Sequence, residues 1–380
     1  GALLLDWDAV GNAIRFLRPE RFYSLQNQKI FAAILALFND GVRGDIITLI
    51  EVQDNNGSVN DGTVSGVQSG EKLAAKIKQL GGKEYKYTEV APVDGADGGK
   101  PGSNIRVAYL YNPQRVKLVE REVGSSTEAA AFKDGHLVKN PARIDPTNPA
   151  FTKVRKSLAA EFEFKGEHIV VIANHLKSKL GDDAVYGSKQ PAVQNTLAQR
   201  IEQGKLLNAF VKEGLKQNPN LKFVLTGDFN DFEFSETAKA VAGNELVNMM
   251  LNHDAADRYS YFYRGSNQSL DNIFVSKNIA DKTVFSPVHI NASFMEEHGR
   301  ASDHDPVIAQ LDFSQKKDDT TPTQPTEPKP SGDSITPPNR DDKPTKKRIL
   351  PSTGTTGAEV AVVGIVILNA TLLWRKKVTD

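Results

Sequence analysis

Four polar clusters in this 380-residue chain bring together residue types that can do chemistry. Glu51 directly follows the apolar run DIITLI. Asn174 and His175 follow HIVVIA. Asp228 and Asn230 follow FVL, within TGDFND, and Asp303 and His304 come just before PVIAQL. The oxygens of Glu51, Asp228, Asp303 and Asn230 are hard ligands, which select Mg²⁺, Mn²⁺ or Ca²⁺ over a thiophilic metal. His175 and His304 add a pair able to act as acid and base near neutral pH. A metal that polarises a phosphoryl oxygen, a base for water and a donor for developing charge are the requirements of phosphate-ester hydrolysis. Singly, each cluster has a plainer reading: a solvated cap for Glu51, a turn at Gly227-Asp228, a surface position for His175 beside Lys177 and Lys179, a polar turn at Asp303-His304. Their joint occurrence, in this order and at the ends of apolar runs, points to one site. The other histidines, His136, His168, His253, His289 and His298, have no such context and receive no role.

The runs that carry these clusters read as strands. Asp45–Ile50 is short and β-branched, Ile105–Tyr111 and Leu158–Phe164 have strand character, and His168–Ile172 and Phe223–Leu225 read as buried strands. Ser269–Val275 and Pro306–Phe313 complete the set. Antiparallel neighbours bring the end of one strand beside the start of the next, so all four clusters can share one sheet edge. Helices are expected over 26–38 and over Lys189–Lys216. Glycine- and Asp-rich stretches at 54–70 and 91–104 read as loops, and 121–153 as an insertion.

Charge and composition limit the function further. Lys plus Arg and Asp plus Glu both number 47, but residues 1–314 hold 36 basic against 39 acidic side chains. A nucleic-acid binder that relies on bulk attraction is basic, so handling phosphodiesters here requires a local basic groove or bound cations. With no cysteine, disulfides, thiolate metal sites and a Cys nucleophile are excluded. Three zones follow: a globular zone 1–314, a Pro-, Thr-, Lys- and Asp-rich linker 315–349 that cannot bury a core, and a tail 350–380. The tail holds an apolar run Ala358–Trp374, about 25 Å long as a helix, followed by Arg375, Lys376 and Lys377, and reads as a short membrane span with its basic end inside. The chain begins Gly1-Ala2, and the stub Leu3–Leu5 is too short for a signal core, so the start reads as a processed end with any export signal out of view.

NHLKSK, TGDFND, SLDNIFVS and ASDHDPV together resemble the endonuclease/exonuclease/phosphatase superfamily, which includes pancreatic deoxyribonuclease, over about residues 40–313. The resemblance implies an α/β sandwich of two packed, mostly antiparallel sheets flanked by helices. It implies a phosphodiesterase cleaving DNA or RNA with Mg²⁺, with Ca²⁺ or Mn²⁺ as other candidates. By this likeness Glu51, Asp228 and Asp303 bind metal, Asp228 and Asn230 position the reacting groups, Asp271 orients His304 as general base, and His175 serves the leaving side. Asn174, Arg106 and Arg155 become candidate substrate contacts. A first strand carrying a metal-site Asn is expected in the family and has no match here. Asn272 stands where many relatives have His, and little effect is expected from it. The tail, Leu350-Pro351-Ser352-Thr353-Gly354 with the apolar run and basic cluster, resembles a Gram-positive sortase anchor. It implies a sortase cut between Thr353 and Gly354, linkage to peptidoglycan and a place on the cell surface. The alternatives are a phospholipid or sphingomyelin phosphodiesterase, a small-molecule phosphatase, and a non-catalytic surface adhesin. Of the aromatic cluster Tyr259, Tyr261, Phe262 and Tyr263, packing rather than membrane insertion is expected.

Overall fold

The computed structural model describes residues 44–79, 82–185, 187–295, 300–313 and 360–367. In chain order the elements are β1 (Ile46–Val52), α1 (Val67–Gln79), β2 (Lys86–Thr88), β3 (Arg106–Tyr111) and β4 (Lys117–Leu118). The hairpin β5 (Phe132–Lys133) and β6 (His136–Leu137) follows, then β7 (Ala142–Arg143), β8 (Leu158–Phe164), β9 (Glu167–His175) and α2 (Leu197–Gln217). Next come β10 (Lys222–Asp228), α3 (Glu236–Ala242), β11 (Leu246–Asn248) and the hairpin β12 (Tyr261–Tyr263) and β13 (Ser266–Gln268). The last are β14 (Asp271–Ser276), β15 (Thr283–Pro287), β16 (Val307–Asp312) and β17 (Val360–Ile367).

Two sheets carry the molecule. The first has the order β15-β16-β17-β1-β3-β2, and the second β11-β14-β10-β9-β8-β4, with β7 also on β8. Only β1–β17 and β9–β10 are parallel among the pairings of these sheets. This is the sandwich that the sequence led us to expect. Strand alternation explains the layers. Ile46 and Ile50 of β1 join Val107, Phe162, Ile169, Val171 and Val224 in the core between the sheets. Ile47 and Leu49 face the other way, against Leu73 and Ile77 of α1. Val170, Ile172, Phe223 and Leu225 form the outer face of the second sheet under Leu207 and Val211 of α2. Each such side chain contributes roughly 1.5–3 kcal/mol on burial.

Three differences from the sequence reading matter. First, β9 and β10 run parallel, joined through α2, so they end together rather than end to start. Second, α2 begins at Leu197 and not at Lys189. Pro191 supplies no N–H and restricts the residue before it, and Thr196 is held by Asp182 through its N–H and its hydroxyl, both at 2.7 Å. Third, α1 starts inside the stretch taken as a loop, its apolar Leu73, Ala74 and Ile77 recurring at helical spacing. Within the stretch 121–153, read as an insertion, Phe132, Leu137 and Ile144 pack onto the outer face of the second sheet.

The apolar tail also differs from expectation. Residues 360–367, read as part of a helical span, form β17 between β16 and β1, with Ile46 opposite Val363 and Ile308 opposite Gly364. The run VAVVGIVI is rich in β-branched residues, which suit a pleated strand, and both neighbours supply hydrogen-bond partners. Among the described residues no helix is long and apolar enough to cross a membrane. The expected helix 26–38, the linker 315–349, Leu350–Gly354 and Arg375–Lys377 lie outside the described residues, as does nearly all the stretch before Ile46 where a first strand would be sought.

Candidate active site

Three adjacent strands of the second sheet place His175, Asp228 and Asp271 in one row. Asp228 is in register with His175 of β9 on one side and with Asp271 of β14 on the other. Val171, Ala173, Val224, Ile273 and Val275 of these strands face the inter-sheet core. By alternation His175, Asp228 and Asp271 face that side as well, at the end of the sheet.

Two local backbone features complete the row. β1 shifts register between Leu49 and Val52, and Glu51 there has φ of 60°. Such a bulge re-aims a side chain, and Glu51 Oε1 lies 3.9 Å from His175 Nε2. In TGDFND, Gly227 has φ of 135°, and a Cβ on it would sit 2.0 Å from the Asn174 carbonyl oxygen, so only glycine lets β10 lie this close to β9. Asn230 takes φ of 52°, a conformation asparagine tolerates. From there its N–H donates to Asp228 Oδ1 at 2.7 Å and its amide to Oδ2 at 2.9 Å.

His304, just before β16, reaches the row from the first sheet. Its Nδ1 is 2.7 Å from Asp271 Oδ2, which also accepts the Ser260 hydroxyl at 2.7 Å. The Tyr261 ring lies 4.6 Å from the His304 ring, centre to centre. His175 Nε2 is 3.6 Å from Asp228 Oδ2.

Electrostatics sets the two imidazoles apart. Burial pulls His304 down, but Asp271 by charge and hydrogen bond, with Asp228 and Asp303 behind it, pushes it up to about 10. His175 is held well below its usual value by burial and by the charges of Arg155 and His304. Burial raises Glu51, Asp228 and Asp271, with Asp228 up to about 7. Desolvation is the main cause at all three, and it outweighs the opposing pull of His304 at each and of Arg155 at Glu51 and Asp228. Asp303 bears on both Glu51 and His304.

Among the described residues, five of the eleven buried side-chain atoms without a hydrogen-bond partner lie here: Glu51 Oε2, Arg155 Nε, Asn174 Oδ1, His175 Nδ1 and Asp271 Oδ1. Orphaned carboxylate oxygens among raised acids fit a hard divalent cation. Asp228, Asp271 and His304 also bring ligand atoms within 4.8 Å of one another.

Of the predicted residues, the structure brings Glu51, His175, Asp228, Asn230, Asp271 and His304 together. Arg155 belongs with them: its charge acts on Asp228 and Glu51, and its Nη2 donates to the Leu176 carbonyl at 2.9 Å. Asn174 is fully buried, its amide donating to the Ile172 and Thr226 carbonyls, so it props the β9–β10 pair. Arg106 is spent elsewhere, in a buried pair with Glu89 at 2.9 Å and on the Asn104 and Val64 carbonyls. Asn272 bonds Asn248 and Ser269 in the interior. Sequence reasoning missed Ser260 and did not connect Tyr261 to His304; no motif marked either. The aromatic cluster splits: Tyr259 stacks on His289 and Tyr261 packs on His304, whereas Phe262 and Tyr263 stay exposed.

The model of the Endonuclease/Exonuclease/phosphatase family matches residues 103–301. A second family model, the DnaB-like helicase N terminal domain, matches residues 1–80. No curated protein matches the chain. Among solved structures, the chain is similar to humanized TDP2 of D. rerio at 19% identity and a TM-score of 0.42, covering 79% of this chain and 91% of that one. It is similar to the human Nocturnin catalytic domain with bound sulfate at 16% identity and 0.45, covering 74% and 84%. A family protein from Leptotrichia buccalis gives 14% identity and 0.46, covering 78% and 98%.

Proposed function

Because the chain belongs to the endonuclease/exonuclease/phosphatase family, whose model spans just over half of it, we propose that it is a metal-dependent nuclease cleaving extracellular DNA. Members of this family are phosphodiester hydrolases and typically need a divalent metal. The observation that carries the reading is the Asp271–His304 pair at 2.7 Å, facing the in-register row of His175 and Asp228.

Each residue has a task in this reading. His304 donates Nδ1–H to Asp271, which fixes the tautomer and leaves Nε2 to accept a proton from water. Ser260 holds Asp271 in turn. His175, kept neutral by its surroundings, stabilises the departing oxygen by donating an N–H rather than by a full positive charge. Asn230 fixes the two oxygens of Asp228. Arg155, a buried cation with an unpartnered Nε, would supply a donor and a positive charge to the phosphate. Glu51, Asp228 and Asp303 would hold Mg²⁺, Ca²⁺ or Mn²⁺, which supplies charge neutralisation and polarises the phosphoryl oxygen. Asp271 is the main group that raises His304, by its charge and its hydrogen bond, and Asp228 and Asp303 add less.

RNA is a second substrate in this reading. A phospholipid substrate has one observation in its favour: Phe262, 49% exposed, and Tyr263, 42% exposed, project from the β12–β13 hairpin beside Tyr261. Plasmid DNA, RNA and sphingomyelin vesicles, each with Mg²⁺ or EDTA, separate these. We expect DNA cleavage in Mg²⁺ and none in EDTA; hydrolysis of sphingomyelin alone contradicts the proposal.

The location is part of the proposal. A sortase would cut between Thr353 and Gly354 and join the chain to peptidoglycan, with residues 315–349 as spacer. That route places Val360–Ile367 in the membrane, whereas the fold uses them as β17, and one segment cannot be in both places at once. Cell fractionation tests it: protein released by muramidase supports anchoring, and protein extracted by detergent alone opposes it.

A further inference from the structure

A second cluster of ligating side chains lies on the opposite face of the second sheet. Glu161, in the middle of β8, points outward, since its neighbours Ala160 and Phe162 belong to the inter-sheet core. It is fully buried, yet its ion-pair partners are two histidines rather than Lys or Arg. His136 Nδ1 from the insertion hairpin is 2.6 Å from Glu161 Oε1, and His168 Nδ1 from β9 is 2.7 Å from the same oxygen. The other carboxylate oxygen accepts the Leu137 N–H at 2.9 Å. Asn140 fixes the Glu161 backbone, donating to its carbonyl at 2.8 Å and accepting its N–H at 2.8 Å. The two rings meet edge to face, 4.9 Å between centres, with about a third of each histidine side chain open to solvent.

We propose that His136, Glu161 and His168 form a transition-metal site of the zinc class, separate from the catalytic carboxylates. One ring nitrogen of each histidine and a Glu161 oxygen already lie within 4.8 Å of one another. Zinc binds imidazole nitrogen and carboxylate oxygen at about 2.0–2.2 Å, which sets neighbouring donors roughly 3.3 Å apart. Each ring therefore swings outward by about 0.6–0.7 Å, towards the side where it is exposed, and moves its hydrogen to Nε2. The fourth position is left to water on that open side. A divalent ion would also neutralise a carboxylate that is buried without a permanent cation. Two nitrogen donors favour Zn²⁺ over the Mg²⁺ expected at the all-oxygen site. Ligands from β6, β8 and β9 would pin the 121–153 insertion to the sheet.

The test is equilibrium dialysis of the full chain against Zn²⁺ in excess Mg²⁺, with bound zinc counted by mass spectrometry. We expect one Zn²⁺ per chain that is retained in Asp228→Ala and weakened roughly tenfold or more in His136→Gln and in His168→Gln. On the wild-type protein, Zn²⁺ should protect His136 and His168 from diethylpyrocarbonate, a readout that needs no variant to fold. Zinc binding that is undetectable, that survives both His→Gln changes, or that disappears only in Asp228→Ala overturns the site, as does unprotected modification of the two histidines.

Discussion

His304 owes its orientation to a relay: Ser260 donates to Asp271, and Asp271 accepts from His304 Nδ1. Removing the imidazole removes the proposed base, so His304→Ala should lower the cleavage rate by roughly 10²-fold or more. His175→Ala should cost a similar factor through the leaving side. Steady-state rates on plasmid, with circular dichroism to confirm folding, decide both. Asp271→Asn keeps the shape but no longer demands Nδ1–H of its partner, so the tautomer is lost; we expect a loss on the order of 10²-fold in kcat with KM little changed. An effect confined to KM would mean that Asp271 acts in substrate binding and does not position the base. Asp228→Ala should lose activity that added Mg²⁺ restores only in part, because the change also displaces Asn230 and the row around it.

Elements explain which residues could be read from the sequence and which could not. Polar residues at the ends of apolar runs gave away Glu51, His175 and Asp228, which follow their runs, and His304, which precedes its own, because period and composition are local signals. The β9–β10 pairing is not local. A parallel pair needs a crossover, and only the fold shows that α2 provides it. Ser260 approaches Asp271 across an 11-residue separation without any motif. Arg106 looked like a phosphate contact, but Glu89 captures it from 17 residues away. Gly227 shows the opposite: a residue legible as a turn turns out to be a packing requirement. Gly227→Ala pushes a Cβ into the Asn174 carbonyl at a positive φ, and we expect a loss of about 3 kcal/mol or more in stability, read from urea denaturation. A shift below about 0.5 kcal/mol would show that β10 can move away from β9.

At the scale of the molecule, the two family matches fall on different parts of the chain, residues 1–80 and 103–301. The stretch before Ile46 is also where the nuclease-like motifs fail to extend. In the first sheet, β1 gains its second neighbour from the far end of the chain, as β17. A chain cut after Thr353 loses that strand, so its Tm should fall by roughly 5 °C or more relative to the full chain; an unchanged Tm would show that β17 is dispensable to the sheet. The central claim, that the row of His175, Asp228 and Asp271 with His304 is a metal-dependent phosphodiesterase site, has one most direct test. Cleavage of duplex DNA by the full chain is followed in Mg²⁺, after EDTA and after Mg²⁺ is restored, with His304→Ala in parallel. The account predicts cleavage that stops with EDTA, returns with Mg²⁺ and is at least roughly 10²-fold slower in the variant. Cleavage that persists in EDTA, or that His304→Ala performs at the full rate, contradicts it.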